Sequence, residues 1–135
     1  LLENMDVENA YLQSPVEEEV YVRQPQGFER RGPGGEQLVC RLKKSLYGLR
    51  QSANNWYGVI SGWLKECGFT ASGADACVFV QRKGRAVVIV AMYVDDLLLA
   101  SNDRRLLDQV KSDISSRFTM KDLGALRFML GMEVV

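Results

Sequence analysis

Two adjacent aspartates, Asp95 and Asp96, interrupt the most apolar part of the sequence, between Val87–Val94 and Leu97–Ala100. Neighbouring carboxylates repel each other, and partial burial adds a desolvation cost that a bound divalent cation would relieve. A tight hairpin turn is the alternative, because Asp is common in turns, although the usual two-residue turn is Asn-Gly or Asp-Gly. The pair is therefore a candidate cation site as well as a candidate turn.

Asp6 is a second unusual carboxylate, because it lies in a short apolar strand predicted at Asn4–Val7. A lone charge in such a strand is commonly a surface residue. In an antiparallel sheet, however, this strand could lie beside the Asp95-Asp96 hairpin, so that two or three carboxylates converge. Such oxygen ligands suit Mg²⁺ or Mn²⁺, and two ions about 3.5–4 Å apart can activate a 3′-hydroxyl and stabilise a leaving pyrophosphate.

Composition removes several other kinds of chemistry. The 135 residues include no histidine, which excludes Ser-His-Asp and Cys-His catalysis and most zinc sites. Cys40, Cys67 and Cys77 are widely spaced, which indicates reduced thiols in an intracellular protein, packed as core residues. The longest apolar run, Ala86–Val94, is far shorter than the ~20 residues of a transmembrane helix.

The net charge is zero, but the charges are unevenly distributed along the chain. Residues 1–36 carry eight acidic and three basic side chains, a net charge of −5. Residues 37–85 carry two acidic and eight basic side chains (+6), and residues 86–135 carry seven and six (−1). The middle third could contact a polyanion while carboxylates elsewhere hold cations, or these could be ordinary solvated faces.

Hydrophobic periodicity predicts an α+β fold with two main helices. One helix begins near Ser52 and stops at Gly68, and the other is capped by Asn102 or Asp103 and runs to about Phe118. Gln24–Gln37 is rich in Gly and Pro and forms a loop-rich excursion. Strands are predicted at Asn4–Val7, Val20–Val22, Leu38–Leu42, Cys77–Gln81, Arg85–Tyr93, Leu97–Ala100 and Arg127–Val135.

Apart from the excursion, the order is strand, helix, two or three strands, helix, strand. This order predicts an antiparallel sheet with a split βαβ (ferredoxin-like) topology and both helices on one face. Both ends of the chain have strand-like sequence, so we expect a piece of a longer protein.

Five blocks, in order along essentially the whole chain, resemble those of reverse transcriptases. Asn4–Leu12 resembles motif A. Tyr93–Asp96, which includes Val94, resembles motif C. Three further blocks are similar to those of copia-type LTR retrotransposon polymerases: Ser45–Ser52 followed by Trp56-Tyr57 (the motif B region), Glu18–Tyr21 with Gln24–Phe28, and Phe118–Gly124. The resemblance implies a palm domain with partial fingers (the excursion at about 13–50), incomplete at both ends.

The resemblance implies a role for each carboxylate. Asp6 and Asp95 would be metal ligands assisted by the Val7 carbonyl, and Asp96 would be the third catalytic carboxylate. The cofactor would be two Mg²⁺ ions, with Mn²⁺ as a substitute. The reaction would be template-directed transfer of deoxynucleotides to a primer.

Other residues would contact the substrates. Tyr11 aligns with the steric gate that excludes a ribose 2′-hydroxyl, although without the motif it would be interpreted as a core aromatic. Gly48 and Gln51 would line the nucleotide and template pocket, and Arg50 would contact a phosphate or the template. Phe128–Glu133 resembles the primer grip, with Met129, Leu130 and Gly131, and only the first half of that hairpin is expected in the chain.

The chain departs from the family pattern at three positions and lacks several family parts. Tyr11 stands where Phe is usual, Glu8 where Lys is common, and Ala53 where Pro is frequent. The upstream fingers, thumb, RNase H and integrase are absent, so we expect little or no activity from these residues alone.

The expected partners are an RNA or DNA template with its primer, deoxynucleoside triphosphates and the missing parts of a Pol polyprotein, without a membrane. The expected location is intracellular, in a cytoplasmic virus-like particle. The alternatives are a non-catalytic nucleic-acid-binding module, an inert transposon relic and, more distantly, a nucleotide cyclase.

Overall fold

A computed structural model describes all 135 residues as an α+β fold. The helices are α1 (Ser52–Glu66) and α2 (Arg104–Arg117), with a short 3-10 helix at Ala10–Gln13. The strands are β1 (Leu2–Val7), β2 (Tyr21–Arg23), β3 (Val39–Arg41), β4 (Thr70–Ala71), β5 (Val78–Lys83), β6 (Ala86–Tyr93), β7 (Asp96–Ser101), β8 (Met120–Ala125), β9 (Phe128–Met129) and β10 (Met132–Glu133). Six strands form an antiparallel sheet in the order β4-β5-β6-β7-β1-β8, and β2-β3 and β9-β10 form separate two-stranded sheets.

Alternation along the strands gives the main sheet a buried face and an open face. Met5 in β1 pairs with Leu97 in β7, which pairs with Met92 in β6, and all three side chains are buried. Their neighbours along the strands, such as Asp6 and Leu98, lie on the opposite face and are half-exposed. An antiparallel sheet tolerates this arrangement, because one of its faces can meet solvent.

Both helices pack on the buried face and share one core. Phe118, which follows α2, contacts the rings of Trp56 and Trp63 from α1 edge-on, with ring centroids 5.3 and 5.5 Å apart. The helix residues buried in this core are Trp56, Ile60 and Leu64 from α1 and Leu106, Leu107, Val110 and Ile114 from α2. The spacing of these residues is the three- and four-residue periodicity on which the helix predictions rested.

The ends of both helices follow from local chemistry. Asp103 caps α2, because its carboxylate accepts a hydrogen bond from the Leu106 amide at 2.9 Å. Asn102, the other predicted cap, instead bonds to the backbone near the β5–β6 turn. Its side-chain amide donates to the Arg85 carbonyl, and its side-chain oxygen accepts from the Val87 amide. The α1 helix stops before Gly68, whose φ of 87° suits glycine. Neither helix meets the length and hydropathy needed to cross a membrane.

Three parts of the sheet structure differ from the prediction. The short strand β4, which pairs with β5, was not predicted. The strand β8 was not predicted, because Met120–Ala125 contains charges and a glycine and forms a strand only by pairing with β1. The predicted strand at Arg127–Val135 is instead the β9–β10 hairpin, and both of its arms lie within the chain. The chain reverses there at Leu130 and Gly131, which both have positive φ.

The excursion at residues 13–50 lies outside the main sheet. Its strands β2 and β3 pair with each other, as the predicted strands at Val20–Val22 and Leu38–Leu42 allow. At its base Pro15 bridges Lys44, and the Asn55 amide of α1 donates to the Pro15 carbonyl at 3.3 Å. The excursion is thus fixed to the helix at its base, while the Gln24–Gln37 stretch is almost entirely exposed.

An ion-pair network centred on the buried Glu3 joins β1 to α2 and β8. Glu3, on the buried face of β1, accepts hydrogen bonds from Lys111 and from Arg104, the latter at 2.6 Å. Lys111 also pairs with Asp122 in β8 at 2.7 Å. The hydrogen bond from Lys111 lowers the pKa of Glu3, against partial desolvation that would raise it. Burial would likewise raise the pKa of Asp122, but the hydrogen bonds from Lys111 and from the Gly124 amide, together with the charge of Lys111, outweigh it, so that pKa is also lowered.

We predict that Glu3→Gln destabilises the protein at neutral pH by about 3 kcal/mol, because Lys111 loses its buried partner. A carboxyl whose pKa is lower in the folded state stabilises the fold above its ordinary pKa, and this stabilisation is lost as the pH falls. The difference between wild type and Glu3→Gln should therefore shrink as the pH falls below about 4.5. Urea unfolding across that range measures it.

Glu19→Gln is the matched control, because the Glu19–Arg41 pair is largely exposed and such pairs contribute little. A Glu3→Gln curve parallel to that of wild type at every pH would contradict the prediction.

Candidate active site

The pairing of β1 with β7 brings distant carboxylates together. Asp6 lies directly opposite Asp96, and Asp96 lies opposite Tyr93 at the end of β6. Directly opposed residues of antiparallel strands project from the same face, with Cβ atoms about 4.5–5.5 Å apart. The structure therefore places Asp6 and Asp96 side by side on the open face, as the sequence predicted for the strand that carries Asp6.

The hairpin turn consists of Val94 and Asp95, whereas Asp96 already belongs to β7. The turn therefore begins one residue before the aspartate pair that the sequence singled out. Val94 has a φ of 55°, while Asp95 has no positive φ. Positive φ at the first turn residue alone is the type II′ pattern, where glycine is the usual residue.

Hydrogen bonds fix the peptide groups on both sides of Asp95. The indole N–H of Trp56 in α1 donates to the Val94 carbonyl at 2.7 Å. The Val7 amide in β1 donates to the Asp95 carbonyl at 2.8 Å. The turn is thus attached to the core helix on one side and to the strand of Asp6 on the other.

The negative charge of the three aspartates has no basic partner. None of Asp6, Asp95 and Asp96 forms an ion pair. Burial raises the pKa of Asp96, and the negative charges of Asp95 and Asp6 raise it further. Lys121 in β8 lies opposite Asp6, but it pairs with Glu8 at 3.4 Å. Sequence reasoning missed Lys121 because β8 was not predicted.

The three carboxylates fit a divalent cation by donor type and by unbalanced charge. As placed, no three His, Cys, Asp or Glu side chains converge on one point at metal-binding distance. Mg²⁺ does not require such a cage, because it keeps several waters and usually binds one or two carboxylates together with substrate phosphates. Asp6 and the neighbouring aspartates can supply that smaller set.

Two tyrosines lie next to the aspartates. Tyr11, in the 3-10 helix after β1, packs against Tyr47 with ring centroids 4.4 Å apart. Partial desolvation raises the pKa of Tyr47, followed by the nearby charge of Asp95 and by Tyr11. Tyr47 falls within the Ser45–Ser52 block, but no sequence signal gave it a role of its own.

An apolar cavity of about 170 Å³ lies beneath the turn. Tyr11, Trp56, Met92 and Val94 form part of its wall. Tyr11 is also packed against the core while remaining partly exposed, so it is at once a core aromatic and a residue of the site. Its position beside Tyr47 gives the open face an aromatic boundary near the aspartates.

The other predicted nucleotide contacts lie in the turn that leads into α1. Gly48 has a φ of 95°, and a Cβ there would meet no atom within 4 Å, so the space beside it is open. Arg50 is exposed and forms no ion pair. Gln51 is the N-cap residue immediately before α1, and its amide donates to the Glu18 carboxylate at 3.5 Å. Tyr47 belongs to this turn, and the charge of Asp95 is among the causes that raise its pKa, after desolvation.

The predicted primer-grip residues belong to the β9–β10 hairpin. Met129 ends β9, and Leu130 and Gly131 form the turn to β10. No hydrogen bond or ion pair joins this hairpin to the three aspartates. Phe128 and Asn4 line one shallow groove, which places the start of the hairpin beside β1.

Comparison with known proteins gives consistent matches over the whole chain. Residues 1–135 match the family described as Reverse transcriptase (RNA-dependent DNA polymerase). The chain is 39% identical over 135 residues to the Retrovirus-related Pol polyprotein from transposon TNT 1-94 of Nicotiana tabacum, covering 99% of the chain and 10% of that protein. It is 38% identical over 133 residues to the corresponding polyprotein from transposon RE1 of Arabidopsis thaliana, covering 98% and 9%.

A putative transposon Ty5-1 protein of Saccharomyces cerevisiae is 34% identical over 131 residues, with 96% of this chain and 42% of that protein covered. The chain therefore spans about a tenth of the length of the two plant relatives.

We predict that Asp95→Asn lowers the pKa of Asp96, because it removes a neighbouring negative charge while leaving the burial in place. Carboxyl ¹³C NMR titration of the metal-free protein measures this shift. Asp108→Asn, on the exposed surface of α2, is the control and should leave the pKa of Asp96 unchanged. An Asp96 titration that is the same in Asp95→Asn and wild type would show that the two carboxyls do not interact.

Proposed function

Because the chain belongs to the reverse transcriptase (RNA-dependent DNA polymerase) family, we propose that it is the palm, with part of the fingers at about 13–50, of a copia-type retrotransposon polymerase. The sheet order supports this assignment. Numbered 1 to 4 in chain order, β1, β6, β7 and β8 are arranged 4-1-3-2, with helices after the first and third strands. This order supports a ferredoxin-like split βαβ topology, to which β4 and β5 add two strands beside β6.

The proposal rests on the placement of Asp6 opposite Asp96, with Asp95 in the adjoining turn and no ion pair formed by any of the three. Lys121 lies opposite Asp6 but pairs with Glu8 instead. A protein that only bound nucleic acid would gain nothing from unbalanced carboxylates, because they repel phosphates. A nucleotidyl transferase needs them to hold cations. The arrangement therefore favours catalysis over passive binding.

In the proposed reaction the primer 3′-oxygen attacks the α-phosphorus of a deoxynucleoside triphosphate, the bond to the β-phosphate oxygen breaks, and pyrophosphate leaves. Two bound Mg²⁺ ions would supply activation of the 3′-hydroxyl and neutralisation of the leaving pyrophosphate. Asp6 and Asp95 would hold them with the Val7 carbonyl, and Asp96 would support the site from the adjacent position. Mn²⁺ would substitute, because it accepts the same oxygen ligands.

The surrounding residues would select and orient the substrates. The Tyr11 ring, backed by Tyr47, would collide with a ribose 2′-hydroxyl and so favour deoxynucleotides. The open space beside Gly48 would leave room for the base pair. Arg50 and Gln51, which follow in the same turn, would contact phosphate or template.

The β9–β10 hairpin, with Met129, Leu130 and Gly131 at its tip, would position the primer end. The remaining parts of a Pol polyprotein would supply the binding surface for a primed RNA or DNA template.

We predict that the chain binds Mn²⁺ through the aspartates, so that Asp6→Asn and Asp95→Asn each weaken binding by about tenfold or more. Loss of the free Mn²⁺ signal in electron paramagnetic resonance measures the affinity. Competition by Mg²⁺ tests whether the two ions bind at the same site. Asp108→Asn is the matched control and should bind like wild type. Wild-type protein that binds no Mn²⁺, or binds it equally well after Asp95→Asn, would indicate a relic or a structural module.

We also predict that the isolated chain extends a primed RNA template at a rate too low to detect, because most contacts to template and triphosphate lie elsewhere. A primer-extension assay with Mg²⁺ and deoxynucleoside triphosphates tests this expectation. Robust synthesis that disappears in Asp95→Asn would show that these residues suffice for catalysis.

A further inference from the structure

We propose that Trp56 is a positioning residue for Asp95: its indole N–H holds the Val94–Asp95 turn in a conformation that the turn sequence disfavours. The part of this inference that concerns metal binding rests on the proposed function. The part that concerns the turn does not.

The turn needs an external restraint because of the residue at its first position. Only Asn9, Val94 and Leu130 among the non-glycine residues have positive φ, and Val94 alone is β-branched. A β-branched residue is a genuine outlier in that region, because its Cβ substituents crowd the backbone. Residues held in such conformations persist where the surrounding structure fixes them, and they cluster at functional sites.

Trp56 provides that restraint through its indole N–H. Its side chain is 3% exposed, and its ring packs edge-on against Phe118 at 5.3 Å. The indole is therefore placed by the core, independently of the turn. From that position its N–H donates to the Val94 carbonyl at 2.7 Å. This carbonyl belongs to the peptide group that joins Val94 to Asp95. Because a peptide group is planar, the hydrogen bond fixes the orientation of the backbone that leads into Asp95.

The second restraint on Asp95 comes from the strand that carries Asp6. The Val7 amide donates to the Asp95 carbonyl at 2.8 Å, and Val7 itself is 1% exposed. With the peptides before and after it both fixed, Asp95 has little freedom to leave the Asp6–Asp96 pair. Exchange of the Val7 amide hydrogen therefore reports whether the turn keeps its position, with or without metal.

The chain offers a close internal control in Trp63. Its ring packs against Phe118 at 5.5 Å and 81°, compared with 5.3 Å and 82° for Trp56. Its indole N–H makes no hydrogen bond in the structure. Replacing either tryptophan by Phe alters a similar edge-on contact with Phe118. Trp56 is buried and Trp63 is half-buried, so the two losses of packing differ in size, and only Trp56→Phe removes a bond to the turn.

The experiment compares Trp56→Phe with Trp63→Phe in the whole chain. Hydrogen exchange of the Val7 amide, normalised to the core amides of α2, is measured together with Mn²⁺ affinity. Trp56→Phe should raise the Val7 exchange rate and weaken Mn²⁺ binding by about three- to tenfold each, the effect of one hydrogen bond. Trp63→Phe should leave both at the wild-type value, even if it lowers the free energy of unfolding equally.

Addition of Val94→Gly to Trp56→Phe should restore most of the Val7 protection, because glycine adopts positive φ without strain. If Trp56→Phe does not fold, 3-benzothienylalanine at position 56 keeps the bicyclic shape and removes the N–H.

The outcomes separate this inference from the proposed function. Val7 exchange equal in the two tryptophan variants overturns the role of Trp56, whatever happens to Mn²⁺. Raised Val7 exchange with unchanged affinity, in a chain whose wild type binds Mn²⁺, also overturns it, because the turn would then not control Asp95. Wild-type protein without Mn²⁺ binding contradicts the proposed function, while the exchange comparison still decides whether Trp56 holds the turn.

Discussion

The antiparallel pairing of β1 with β7 is the contact on which the rest of the structure depends. It opposes two carboxylates, Asp6 and Asp96, whose repulsion at about 5 Å amounts to about 1–3 kcal/mol for effective dielectric constants between partly buried and aqueous. The same strands bury Met5, Val7, Leu97 and Leu99 on the other face. Such side chains contribute about 1.5–3 kcal/mol each, so burial exceeds the repulsion and holds the two acids together.

Because side chains alternate between the two faces of a strand, β1 contributes residues to both faces of the sheet. Its buried face carries Met5 and Val7 and also Glu3, which reaches Lys111 in α2. A slip of one residue would turn Glu3 outward and bury Asp6 without a partner. The Glu3 network therefore specifies the register as well as adding stability, and the register in turn sets which acid faces Asp96.

Much of this arrangement follows from local sequence. The spacing of Trp56, Ile60 and Leu64 predicts α1, and the Asp103 cap predicts the start of α2. The proximity of Asp6 to the aspartate pair was also predicted, because antiparallel strands were expected to lie side by side. These features depend on periodicity, capping and short turns, which neighbouring residues determine.

Other features depend on partners that lie far away in the sequence. The β8 strand has the composition of a loop and exists because β1 offers an unpaired edge. The position of the turn, with Val94 at positive φ, contradicts local preference and depends on Trp56 and Val7. Tyr47 contacts Tyr11 only because the base of the excursion returns to α1. Single-sequence patterns cannot report such pairings, because each involves residues that are separate until the chain folds.

The charges around the aspartates explain why the proposed site would depend on cations from outside the chain. Lys121 lies opposite Asp6, where it could balance the acids, but Glu8 pairs with it. The family resemblance places Lys at the position of Glu8, so this chain has one positive charge fewer and one negative charge more beside the site. Burial, followed by the charges of Asp95 and Asp6, raises the pKa of Asp96. The same uncompensated negative charge would raise the energy of a bound triphosphate unless cations accompany it. Metal binding and triphosphate binding are therefore expected to be coupled here, because each supplies the charge that the other lacks.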